Sequence, residues 1–173
     1  MSVARIRVPA GFAVAAIVFY LATPTPVSIL AGLPVAILGL VFRATAAGII
    51  RKNDALAEDG PYRYTRNPLY FGSFLLAAGF AVMSANLAST LILTLPFYGI
   101  YSGVIRREEQ DLAARFGNDF DRFRDRVPAF FPHRLGKEML TGFSVDQFLR
   151  NREYNAALGF GAALAIFLYK ALG

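Results

Sequence analysis

Five apolar runs divide the chain, over residues 8–23, 27–50, 69–84, 87–105 and 154–172. Some are shorter than the roughly 20 residues an untilted membrane span needs, so flanking residues complete the helices. The connections "TPTPVS" and "MSAN" are tight and carry no charge, which predicts two helical hairpins. Between the fourth and fifth runs lies a long polar segment. There Leu112, Phe116, Phe120, Phe123 and Val127 recur at three- and four-residue steps, one apolar stripe opposed by Arg, Asp and Glu. Gly117-Asn118 is expected to end one helix and cap the next, and Pro128 to stop the second. The pattern predicts an all-α membrane protein with about five transmembrane helices plus cytoplasmic amphipathic helices. It forms a single domain over residues 1–173.

Composition strengthens this picture. Of the 173 residues 55% are hydrophobic, above the roughly 45–50% of a soluble domain. Cysteine is absent, which excludes disulfides, zinc–thiolate sites and a cysteine nucleophile. The net charge of +6 reads as topology and lipid contact, not as nucleic-acid binding. Arg5, Arg7, Arg51, Lys52, Arg63, Arg66 and the basic stretch 106–152 all fall on one side of the predicted spans. By the positive-inside rule the N-terminus and both polar segments are cytoplasmic and the C-terminus lies outside. The expected setting is a bacterial or archaeal inner membrane. Lys170 is then the lone outside cation, placed to snorkel. The N-terminal stretch imitates a signal peptide, but its cleavage pattern is weak and another apolar run follows at once, so it is read as a retained first span.

Few residues are candidates for chemistry. Arg43 lies inside the second apolar run, where a central charge costs about 2.5–3.5 kcal/mol. It is either an arginine that snorkels to the cytoplasmic end or an inward cation for an anionic ligand. In "GPYRYTRNPLYFGS", Asn67 and Pro68 suit an N-cap and a first helical residue. Tyr62, Tyr64 and Tyr70 suit a membrane interface. The same helix start, beside Arg63 and Arg66, also suits an anion. "RREEQ" puts Arg106, Glu108 and Glu109 where the fourth span emerges. They are a solvated helix start or carboxylates for a cationic or hydroxyl-bearing ligand. His133 has no partners at ligand spacing, so no metal site is expected. Serine-hydrolase, Walker and dinucleotide glycine motifs are missing.

Taken in order, "FRATA", "GPYRYTRNPLYFGSF" and "EEQDLAARFGNDFDRFRDRVPAFFP" resemble the membrane-embedded isoprenylcysteine carboxyl methyltransferase family and the related phospholipid methyltransferases. The family core reads Gly-x-Tyr, Arg-His-Pro-x-Tyr-x-Gly, a Glu-Glu pair, Leu, Phe-Gly, two spaced aromatics, Val and Pro. It falls here on Gly60, Tyr62, Arg66, Pro68, Tyr70, Gly72, Glu108, Glu109, Leu112, Phe116, Gly117, Phe120, Phe123, Val127 and Pro132. The similarity covers about residues 42–132 and leaves the run 154–172 outside it. Asn67 stands where the family has His; it donates and accepts hydrogen bonds but does not titrate.

The resemblance implies an S-adenosylmethionine-dependent methyltransferase acting on a lipophilic acceptor that arrives sideways from the bilayer. It implies that Tyr62, Tyr64, Arg66, Asn67, Pro68 and Tyr70 line the cofactor site together with Glu108 and Glu109. Glu109, Arg43 and Arg106 are then the candidate catalytic residues. A carboxylate acceptor, as in isoprenylcysteine, needs a cation to hold it; an amine headgroup needs a base such as Glu109. Two other readings are an NADPH-dependent enzyme like the sterol reductases, and a non-catalytic membrane scaffold.

Overall fold

In a computed structural model, described for residues 3–51, 55–96, 99 and 102–173, the regular secondary structure of the described residues is all helical. The helices are α1 (Val3–Leu21), α2 (Pro26–Ala47), α3 (Pro68–Ser84), α4 (Leu87–Pro96), α5 (Ser102–Phe116), α6 (Asn118–Arg126), α7 (Val145–Arg150) and α8 (Tyr154–Leu172). Single 3-10 turns occur at Gly60–Arg63 and Lys137–Leu140. Lys52 and the middle of the 87–105 run lie outside the described residues. Among the described residues, α2 and α8 are long and apolar enough to cross a membrane, and α3 is apolar but has 17 residues. Leu30, Ile37, Leu38 and Val41 of α2, and Leu158, Leu168 and Leu172 of α8, face outward. A continuous outer surface of this kind suits hydrocarbon, as in a membrane protein.

Both uncharged turns form as tight connections and meet at one end. Thr25 caps α2 in a reciprocal box with Ser28, and Pro26 occupies the first turn. Asn86 accepts from the Ser89 amide at the start of α4. The two turns are stapled together: the Thr23 amide donates to the Ser84 carbonyl at 2.9 Å, and the Ser28 hydroxyl to the Met83 carbonyl at 3.0 Å. Lys170 also belongs to this end, but it does not snorkel away. Its ammonium donates to the carbonyls of Phe19, Tyr20 and Ala22, closing the C-terminus of α1.

The most extensive helix pairing is α2 on α3. It is close because glycines face each other. A Cβ at Gly39 would stand 2.6 Å from the Gly72 carbonyl, and one at Gly79 would stand 2.6 Å from the Ala36 Cβ. Small residues at helical spacing let backbones approach, which is how helices pair where lipid removes the hydrophobic drive. Ala22, Ile29, Ala36, Met83 and Phe167 form the core on the turn side.

At the opposite end the amphipathic stripe packs as the periodicity predicts. Phe120, Phe123 and Val127 are buried against Ala46 and Tyr62, flanked by Leu112 and Phe116. Gly117, at φ +50, breaks the chain between α5 and α6, a left-handed backbone glycine adopts at little cost. Asn118 is the first residue of α6, so the predicted side-chain cap is not made there.

Candidate functional site

The stretch 60–70 crosses this charged end. Gly60, at φ +55, turns the chain where a side chain would strike Ile49 and the carbonyls of Met139 and Thr141. The Gly60–Arg63 turn that follows drives Tyr62 into the cluster with Phe120 and Phe123. Arg63 pairs with Glu138 and Asp59 on the outside.

Arg66 and Asn67 then dock on the chain leaving α6. The Arg66 amide donates to the Pro128 carbonyl at 2.9 Å. Its guanidinium donates to the carbonyls of Arg124 and Val127, at 2.9 and 2.6 Å, and to Glu109 at 2.7–2.9 Å. Asn67 occupies the N-cap position of α3, but its side chain does not cap. The buried amide Nδ2 donates instead to the Ala129 carbonyl at 2.9 Å. The capping expectation fails because this bond turns the side chain toward the Ala129 carbonyl, which also accepts from the Thr65 hydroxyl at 3.3 Å, and away from the first amides of α3. Pro68 does open α3, where its missing N–H costs nothing.

Beside this junction lies a cavity of about 420 Å³, within the ~300–1,000 Å³ of small-molecule sites. Tyr62, Arg66, Asn67, Pro68 and Tyr70 form one wall, and Glu108, Asp111, Leu112, Arg115 and Phe116 of α5 another. Ile50 and Arg51, just past the end of α2, and Leu56 also line it. Tyr70 donates to Glu108 at 2.7 Å, linking the two walls. Burial, reinforced by the nearby Glu108 carboxylate, pushes the Tyr62 phenol well above its ordinary value, so it stays protonated.

Six of the predicted binding residues therefore meet at one cavity: Tyr62, Arg66, Asn67, Pro68, Tyr70 and Glu108. Tyr64 is buried behind it, its hydroxyl against Gly136. Glu109 sits one layer back as the counter-ion of Arg66. Arg106 is exposed on α5 and does not line the cavity. Arg43 does not line it either. Its guanidinium binds both oxygens of Glu153, at 2.6 and 3.0 Å, and also donates to Ser73. The charge turns inward, and the buried carboxylate of Glu153, immediately before α8, pairs with it. Sequence reasoning missed Glu153. The available signal was a carboxylate placed immediately before an apolar helix, facing an arginine that required a partner.

The donor set favours a ligand with mixed character. Glu108 and Asp111 suit a cation or vicinal hydroxyls; Arg51 and Arg115 suit a carboxylate. Tyr62, Phe116 and Phe123 offer apolar rings to a flat heterocycle.

A family model described as phospholipid methyltransferase matches residues 10–119. The cobalt-zinc-cadmium resistance protein CzcN of Cupriavidus metallidurans is 43% identical over 82 residues, 47% of this chain and 38% of that protein. The protein-S-isoprenylcysteine O-methyltransferase of Schizosaccharomyces pombe is 34% identical over 94 residues, 54% of this chain and 40% of that protein. Protein-S-isoprenylcysteine O-methyltransferase B of Arabidopsis thaliana is 30% identical over 113 residues, 58% of this chain and 57% of that protein. The chain thus spans about two fifths of the length of the first two relatives. No solved structure matches it.

Proposed function

The chain belongs to the phospholipid methyltransferase family, and from that premise we propose that it is an integral membrane methyltransferase. Its donor is S-adenosylmethionine, and its acceptor is a lipophilic molecule reached from the bilayer, an isoprenylcysteine-like carboxylate or a lipid headgroup. The chain works as one unit with five spans: α1, α2, α3, the 87–105 run and α8. Its charged end, with the cavity, is cytoplasmic.

The observation that carries this reading is the meeting of Tyr62 and residues 66–70 with Glu108 and Asp111 around one cavity. The donor set fits S-adenosylmethionine, whose cationic sulfonium, ribose diol, amino-acid end and adenine each find a complementary group. That cofactor supplies a methyl already activated for transfer. The protein's own work is to hold and align the reactants and exclude water. Glu108 and Asp111 hold positive charge or hydroxyls at the α5 wall, and Tyr70 fixes the Glu108 carboxylate. Arg66, held by Glu109 and two carbonyls, locks the wall itself. Glu109 is therefore a positioning residue that acts through Arg66, and Arg43 a positioning residue within the helix bundle. Arg51 and Arg115 are placed to hold an anionic group. For an amine acceptor, Glu108 takes the place of Glu109 as the base, since it faces the cavity.

The test is transfer of isotope from labelled S-adenosylmethionine to prenyl-cysteine analogues and to phospholipids, using the full chain in detergent. Calorimetry with S-adenosylhomocysteine runs beside it. Transfer to one class names the acceptor. A folded protein that binds neither donor nor product would sink the proposal.

A further inference from the structure

The cavity wall contributed by α2 ends in Ile50 and Arg51, after the helix has stopped at Ala47. Carbonyls at a helix C-terminus lack intrahelical partners. Here a segment about a hundred residues further along the chain, outside the stretch that the family model matches, supplies them. The Gln147 side-chain Nε2 donates to the Ile50 carbonyl at 2.8 Å. The Asn151 amide donates to the Ala47 carbonyl at 2.7 Å and to Ile50 at 3.2 Å. The Ser144 backbone amide donates to the Gly48 carbonyl at 2.9 Å. Phe143 lies against Gly48, and Glu153 anchors the end of the same segment to Arg43. After these contacts the chain turns into α8 through Arg152, whose φ of +54 is uncommon for a residue with a side chain.

We infer that residues 144–153 form a strap that positions the Ile50–Arg51 wall of the cavity, with Gln147 and Asn151 as positioning residues for ligand binding. Ile50 both lines the cavity and accepts two of these bonds, so a change at the strap is transmitted by one residue. This rests on the reading of the cavity as the donor site. The strap touches no reacting group, so its loss should weaken binding and leave the rate at saturation intact.

Gln147→Glu and Asn151→Asp keep side-chain size but replace the donor by an acceptor. In the full chain in detergent, each should weaken S-adenosylhomocysteine binding roughly five- to tenfold, the scale of one hydrogen bond. The KM for S-adenosylmethionine should rise in parallel while kcat stays within about twofold. Amide hydrogen exchange at Ile49 and Ile50 should accelerate. Gln147→Leu, which adds no charge, serves if the acidic variants fail to fold. Unchanged exchange and affinity, or a fall in kcat without a change in KM, would overturn the inference. If the unaltered protein binds no S-adenosylhomocysteine, the donor-site reading fails and the exchange measurement alone decides the strap. Acceleration at Ile49 and Ile50 supports it, and no change refutes it.

Discussion

Arg43 and Glu153 are 110 positions apart in sequence and share a two-point ion pair that joins α2 to the first residues of α8. The carboxylate is buried and the guanidinium three-quarters so. Breaking such a pair on one side leaves a charge without compensation, whereas replacing both partners does not. Glu153→Gln should cost on the order of 3 kcal/mol in thermal or denaturant unfolding in detergent. The double variant Arg43→Met/Glu153→Leu should recover most of that loss. Equal destabilisation by the single and double variants would show that the pair is not what holds α8.

Glu109 and Glu108 are neighbours with different surroundings: Glu109 pairs with Arg66, and Glu108 lines the cavity. Glu109→Gln keeps the carbonyl partners of Arg66 but removes its charge partner, so the protein should fold while transfer falls by about tenfold or more. Glu108→Gln loses charge inside the cavity and should weaken donor binding directly. Calorimetry and steady-state kinetics on both variants check this. Full activity in Glu109→Gln would remove it from the machinery.

Asn67 uses its amide to hold the Ala129 carbonyl. Asn67→Ala should lower stability by about 1–2 kcal/mol and impair transfer, because the Ala129 carbonyl is left with only the longer bond from the Thr65 hydroxyl. Asn67→His restores a ring N–H donor and should retain activity. If His and Ala behave alike in melts and transfer assays, the Ala129 contact is incidental.

Tyr62 sets an alkaline limit. The unfolded chain releases this phenolic proton near the ordinary value of 10.0, while the folded chain keeps it to higher pH. Its contribution to stability is therefore intact below pH 10 and lost as pH rises above it. Melting temperatures measured from about pH 8 to pH 11 should fall less steeply for Tyr62→Phe than for the unaltered protein. Parallel curves would show that the phenol is not protected.

What the sequence disclosed was local or periodic. The uncharged turns, the stripe from Leu112 to Val127, the break at Gly117 and the proline that opens α3 each depend on neighbours within a few positions. The cavity wall of Tyr62 and residues 66–70 was legible through its resemblance to a family. The role of Asn67 was not, because a tertiary carbonyl outcompetes the local cap. Glu153 and Lys170 were hidden for a related reason. Each satisfies polar groups on a helix far away in sequence, and periodicity carries no information about such pairs. Arg43 was correctly marked as requiring an explanation, but only the fold could say that the partner was internal.

The glycine seam between α2 and α3 has a consequence for the cavity. With Gly39 against Gly72 and Gly79 against Ala36, a slide by one turn would set side chains against backbone, so a single register is permitted. That register fixes where Ile50, just after α2, stands relative to Pro68, the first residue of α3, and both line the cavity. The seam acts as a ruler for the spacing of two of the cavity's walls.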